Sequence, residues 1–231
     1  MDFSAFSDAT FWAALLSIIV ANILLSGDNA VVIALAARSL PAHQQRMAVL
    51  LGSGAAVVLR IILTLVAVWL MSIPYLQVVG GLLLLWIGIQ LLQGEGEEEG
   101  EDVTHSTLIQ AVKTILIADL VMSLDNVIAV AAAAKGSMLL LIIGLAISIP
   151  LVVFGSTLMI RLMERFPVVV TLGAALIGWV AGETISSDAV FKGVLAEWPW
   201  MHFAAAGLGA VIVLGWGRLS RKHPPEEPGA A

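Results

Sequence analysis

Apolar positions along this chain neither alternate nor fall into short amphipathic blocks; they run on. Seven such runs stand out, at 11–37, 47–71, 76–93, 107–134, 138–160, 167–185 and 202–219. Each has about 18 residues or more, enough for a helix to cross roughly 30 Å of hydrocarbon. The runs lack the alternation of membrane-barrel strands, so helices are predicted throughout. Polar breaks separate them: Arg38 to Arg46 around Pro41, Ser72-Ile73-Pro74, the acidic stretch GEGEEEGED at 94–102, and Phe166-Pro167. The first run is not expected to be a cleavable signal peptide, because MDFSAFSDAT carries no basic residue and the apolar stretch is too long.

The predicted fold class is therefore all-α: a polytopic membrane protein with seven transmembrane helices, forming a single transmembrane domain over 1–231. Composition agrees. The chain is 60% hydrophobic and 12% charged, against about 45–50% and about 25% for soluble domains. With 11 Lys and Arg and no basic patch, nucleic acid is not an expected partner. The absence of Cys excludes disulfides, thiolate metal sites and cysteine nucleophiles. Placing the N-terminus outside puts Arg38, Arg46, Lys113, Arg161, Arg165, Arg218, Arg221 and Lys222 in the cytoplasm, and leaves Lys135 and Lys192 outside. That bias predicts a protein of the cytoplasmic membrane with its C-terminus inside.

A segment repeats at a constant offset of 97 residues. Asn22, Ser26, Asp28, Asn29 and Arg38 fall in register with Asp119, Ser123, Asp125, Asn126 and Lys135. The third and sixth runs also match, Leu85-Trp86-Ile87-Gly88 against Ala175-Leu176-Ile177-Gly178, which sets Gln93 opposite Glu183. Three spans per half is an odd number, so the second half enters the membrane from the opposite side. The expected architecture is a 3+3 inverted repeat, with halves 10–93 and 107–185, an acidic loop at 94–106, an unpaired seventh helix at 202–219 and a disordered tail at 220–231. Such repeats are common in secondary transporters, whose sites lie near the midplane.

Four acids lie within the runs, Asp28, Asp119, Asp125 and Glu183, opposed only by Arg60. An ionised side chain at the bilayer centre costs at least about 2.5–3.5 kcal/mol on insertion scales. A bound divalent cation would neutralise most of the excess. Asn22, Ser26 and Asn29 share one helical face, as do Asp119, Ser123 and Asn126. Ser26-Gly27-Asp28-Asn29 is poor helix material, so a local break is expected there. The available ligands are carboxylate, amide and hydroxyl oxygens, which suit Mg²⁺, Ca²⁺ or Mn²⁺. None of His43, His105, His202 and His223 lies mid-span, which disfavours zinc or copper. Met122 beside the second motif is read as packing.

The doubled motif resembles the TerC family of integral membrane proteins, in its short form without appended cytosolic domains, and more distantly the LysE superfamily. The resemblance covers about residues 10–220 and implies manganese efflux, with Asp28, Asn29, Asp125 and Asn126 as the paired motif and Asp119 and Glu183 as added carboxylates. Leu124 stands where the first copy has Gly27. The resulting expectation is a carrier and not an enzyme, without cofactor, exporting Mn²⁺ by alternating access and exchanging it for protons. Its expected metal set is Asp28, Asn29, Asp125, Asn126, Asp119, Glu183, Asn22, Ser26 and Ser123. The expected partners are a hard divalent cation and the lipid bilayer, with a homodimer as the oligomer considered. Three alternatives were weighed. One is a membrane partner in the insertion or metallation of exported proteins. Another is an amino-acid exporter, disfavoured because Arg60 alone could meet an α-carboxylate. The third is an intramembrane aspartyl protease, disfavoured by the lack of a GxGD motif.

Overall fold

The computed structural model describes residues 9–25, 27–70, 73–93, 103–133 and 138–219. Among them every regular element is helical: α1 (Ala9–Leu25), α2 (Gly27–Ala37), α3 (Ala42–Leu70), α4 (Leu76–Gln93), α5 (Val103–Ala133), α6 (Met138–Arg165), α7 (Val168–Ser186), a 3₁₀ turn (Ala189–Phe191), α8 (Lys192–Glu197) and α9 (Trp200–Leu219). The acidic run 94–102, Lys135 and the tail 220–231 lie outside the described residues.

Five described helices are long and apolar enough to cross a membrane: α3, α4, α6, α7 and α9. The first run, expected as one span, is described as two helices on either side of Ser26, which is itself outside the described residues. At 17 and 11 residues, neither α1 nor α2 reaches span length alone. α5 starts at Val103, so the acidic loop is shorter than the 94–106 expected. The α8 turn was not foreseen, because six residues of Lys-Gly-Val-Leu-Ala-Glu give no periodic signal.

α2 occupies the middle of the bundle. Asn29, Ala30 and Val32 to Ala37 are all buried, so it is covered on nearly every side, as a helix apolar all round must be. Val32, Ile33 and Leu35 share one core with Val49 of α3, Leu84 and Ile87 of α4, Ile115 and Met122 of α5, Met163 of α6 and Ile177 of α7. The outward faces are equally apolar. Leu50, Val58, Leu65 and Trp69 of α3, Phe154 of α6, Leu172 of α7 and Val211 and Trp216 of α9 are exposed. That is a liability in water and the normal condition in lipid.

Small residues set the closest approaches. A Cβ at Gly178 of α7 would stand 2.5 Å from the Gly209 carbonyl oxygen of α9, and one at Gly81 of α4 would stand 2.7 Å from the Ala181 oxygen of α7. Backbones this near gain dispersion contacts that larger side chains would prevent. α4, α7 and α9 therefore pack as one layer.

α4 begins after Pro74 with Tyr75 at a φ of 64°, and has no capping side chain of its own. Its cap comes from Asp188, 1% exposed in the α7–α8 connection. Asp188 accepts from the backbone N–H of Tyr75 at 3.2 Å, of Gln77 at 3.1 Å and of Val190 at 3.0 Å. Burial alone would raise its carboxyl, but the summed bonds from Val190, Tyr75, Val78 and Gln77 outweigh it and hold the pKa below the ordinary carboxylate value. At the other end of α4, Arg38 Nη2 donates to the Leu91 carbonyl at 3.0 Å.

Asp188→Ala is expected to lower stability by about 1–2 kcal/mol, since two helix starts lose their cap. Because the folded pKa is depressed, the contribution is full above the unfolded value of about 3.9 and fades as pH falls through the lower folded value. Thermal melts in detergent check this: the gap between wild type and variant closes on acidification.

Candidate functional site

The polar interior is built where α2, α3 and α5 meet. On α3 the buried positions Ser53, Ala56, Arg60 and Leu63 recur every three or four residues and form the face turned to α5. On α5, Ile115, Asp119, Met122 and Ser123 are buried on the answering side. Arg60 is 5% exposed and Asp119 6%. Arg60 Nη2 lies 2.6 Å from Asp119 Oδ1, Arg60 Nε donates to Ser123 Oγ at 3.1 Å, and Ser123 Oγ donates to Asp119 Oδ2 at 3.2 Å. Both carboxylate oxygens are thus engaged, and the cation that sequence left without a partner has one. Thr64 Oγ1 donates to the Arg60 carbonyl at 2.7 Å, as a hydroxyl one turn on commonly does.

Asp28 lies in the first turn of α2, half-buried, and accepts from the Asn29 backbone N–H at 2.8 Å. α2 packs against α5 and α3, so the first-copy motif lies beside the helix that carries the second copy. Asn29 is 4% exposed, and neither its Oδ1 nor its Nδ2 has a hydrogen-bond partner. A buried amide left unsatisfied costs roughly 1–3 kcal/mol.

The remaining expected residues fall into two groups. Asn126 is half-buried on α5, seven residues beyond Asp119 and on the same face. Asp125 is in α5 and Asn22 in α1, but their side chains, like Ser26 altogether, lie outside the described residues. Glu183 is found elsewhere, near the end of α7, where its Oε1 is 3.5 Å from His202 Nε2 of α9. Ser186 Oγ donates to the Glu183 carbonyl and is 2.8 Å from His202 Nδ1. Glu183 thus ties α9 to α7. Among the described residues no group of three or more His, Asp or Glu stands close enough to hold a metal ion.

Sequence reasoning noticed Arg60 but could not choose its partner, and it missed Asp188. The available signal for Asp188 was negative: Pro74-Tyr75-Leu76 offers α4 no Ser, Thr, Asp or Asn at its start, so a cap had to come from elsewhere.

Apolar helices around a satisfied ion pair and an unsatisfied amide define a polytopic helical membrane protein with an ionisable interior. Residues 7–223 match the family described as "Integral membrane protein TerC family", and the chain belongs to that family. It is 45% identical over 178 residues to the membrane protein YjbE of Bacillus subtilis, covering 75% of this chain and 79% of that one. It is 26% identical over 194 residues to the inner membrane protein YgdQ of Escherichia coli, covering 77% and 81%. It is 28% identical over 184 residues to the B. subtilis membrane protein YceF, covering 76% and 71%. No solved structure matches the chain.

Asn29→Leu removes the unsatisfied amide while keeping the branching at Cγ. The variant is expected to melt in detergent at the same temperature as wild type or higher, which is the reverse of what a structural asparagine would give.

Proposed function

We propose that this protein is a transporter of divalent metal cations that exports Mn²⁺ from the cytoplasm by alternating access. The observation that carries this reading is the Asn29 side chain, buried and unpartnered beside Asp28. Its amide oxygen and the Asp28 carboxylate are hard donors of the kind that Mn²⁺, Mg²⁺ and Ca²⁺ accept. Asp125 and Asn126, the corresponding residues of the second copy, complete the ligand set in this reading, with Asp119 joining when its pairing with Arg60 is relaxed. Asn22, Ser26 and Ser123 line the same faces. The protein acts as a carrier and not as an enzyme.

The helix pairings support a 3+3 inverted repeat plus α9, with α1 and α2 together serving as one span and α5 as its counterpart. α3 packs on α5, as α6 packs on α1 and α2; α4 meets α5, as α7 meets α2; α4 and α7 meet each other. Such an exchange of partners is what a pseudo-two-fold relation between halves produces. The Lys and Arg distribution supports an N-terminus outside and a C-terminus in the cytoplasm. The name of the E. coli relative as an inner membrane protein favours the cytoplasmic membrane. Export in exchange for protons follows from carboxylates that hold either a metal or a proton.

Purified protein in liposomes is expected to move Mn²⁺, with flux compared against Ca²⁺ and Mg²⁺ across a pH gradient. Asp28→Ala and Asp125→Ala are each expected to abolish Mn²⁺ flux at unchanged expression. Undiminished flux in the double variant would overturn the assignment.

A further inference from the structure

The strongest polar feature that the repeated motif does not absorb is Arg60. It belongs to α3, outside both motif copies, on a face otherwise built of small and apolar residues and Ser53. Its Nη2 and Nε are committed to α5, through Asp119 at 2.6 Å and Ser123 at 3.1 Å. α2, whose first turn carries Asp28, packs against both α3 and α5. One cation that is part of the chain thus sits among helices that carry carboxylates from both copies of the repeat.

A carrier that works by alternating access changes conformation twice per cycle, once with cargo and once without. Once the divalent ion has left, any carboxylate that has not taken up a proton in exchange remains charged in a low-dielectric interior. Uncompensated charge there opposes any rearrangement that keeps it from water. The geometry points to Arg60 as a tethered substitute for cargo. During the unloaded return its guanidinium holds Asp119 and attracts Asp28; when the divalent ion arrives, with twice the charge, the guanidinium swings aside and cedes the carboxylate. This inference rests on the transport reading above.

Two features fit the exchange. Asp119 and Ser123 are four residues apart on one helix, so their bond survives whichever cation is present and keeps the carboxylate oriented. Arg60 reaches them from another helix on a long flexible stem, so the bond it makes is the exchangeable one. Asn29, meanwhile, offers a buried amide oxygen that the guanidinium does not use. That oxygen is available to a compact metal ion seated beside Asp28.

Liposomes loaded with Mn²⁺ separate the two half-cycles. Net efflux into Mn²⁺-free buffer requires the unloaded return. Exchange of radioactive Mn²⁺ against external Mn²⁺ does not. Arg60→Gln is expected to lose net efflux by about 100-fold while keeping exchange within about two-fold of wild type. Arg60→Lys, which keeps the charge, is expected to retain both. Should Arg60→Gln fail to fold, Arg60→Met, which keeps an unbranched apolar stem without the charge, takes its place and is expected to show the same loss of net efflux with exchange retained. Net efflux unchanged in Arg60→Gln would overturn the inference. So would parallel loss of net efflux and exchange in a folded Arg60→Gln or Arg60→Met. A wild-type protein with no Mn²⁺ flux in either mode would instead end the transport reading itself.

Discussion

A guanidinium and a carboxylate buried together among apolar helices govern this structure. Each alone would be prohibitively costly in hydrocarbon, and each makes the other tolerable. Arg60 and Asp119 lie on different helices, so their pairing also fixes how α3 and α5 turn toward each other. Once that rotation is set, Ser123 follows on the same face of α5 and Ser53 on the same face of α3. The opposite face of α3, with Leu50, Val58, Leu65 and Trp69, is left for lipid. One polar contact thus orients an amphipathy that has no water to organise it.

The rest of the fold relies on shape. Lipid chains are as apolar as leucine, so helix association gains little from burying apolar surface and depends on close packing. The small residues of α4, α7 and α9 supply it, and Asp188 and Arg38 close the two ends of α4 by reaching from distant connections. α2 is held in the centre by contacts on every side and carries Asp28 and Asn29 at its first turn.

Much of this was legible in the sequence, for definite physical reasons. Uninterrupted apolar runs bounded by Pro41, Pro74 and Pro167 give helix positions to within a few residues, and the doubled Asp-Asn motif leads to the family. Tertiary partnership was not legible. Arg60 had several candidate acids, and only helix rotation selects Asp119. Glu183 read as one more membrane carboxylate because its neighbour His202 is brought in by the α7–α9 packing, which no periodicity encodes. Asp188 went unnoticed because the helix it caps lies more than a hundred residues earlier in the chain.

The central claim is that Arg60 and Asp119 act as one neutral unit inside the membrane. A double-mutant cycle measures this directly, with Arg60→Met, Asp119→Leu and their combination compared by reversible unfolding in detergent. The account predicts a coupling of about 2–3 kcal/mol, with the combined variant more stable than either single one. A coupling of about 0.5 kcal/mol or less, the value of a solvent-exposed pair, would contradict it.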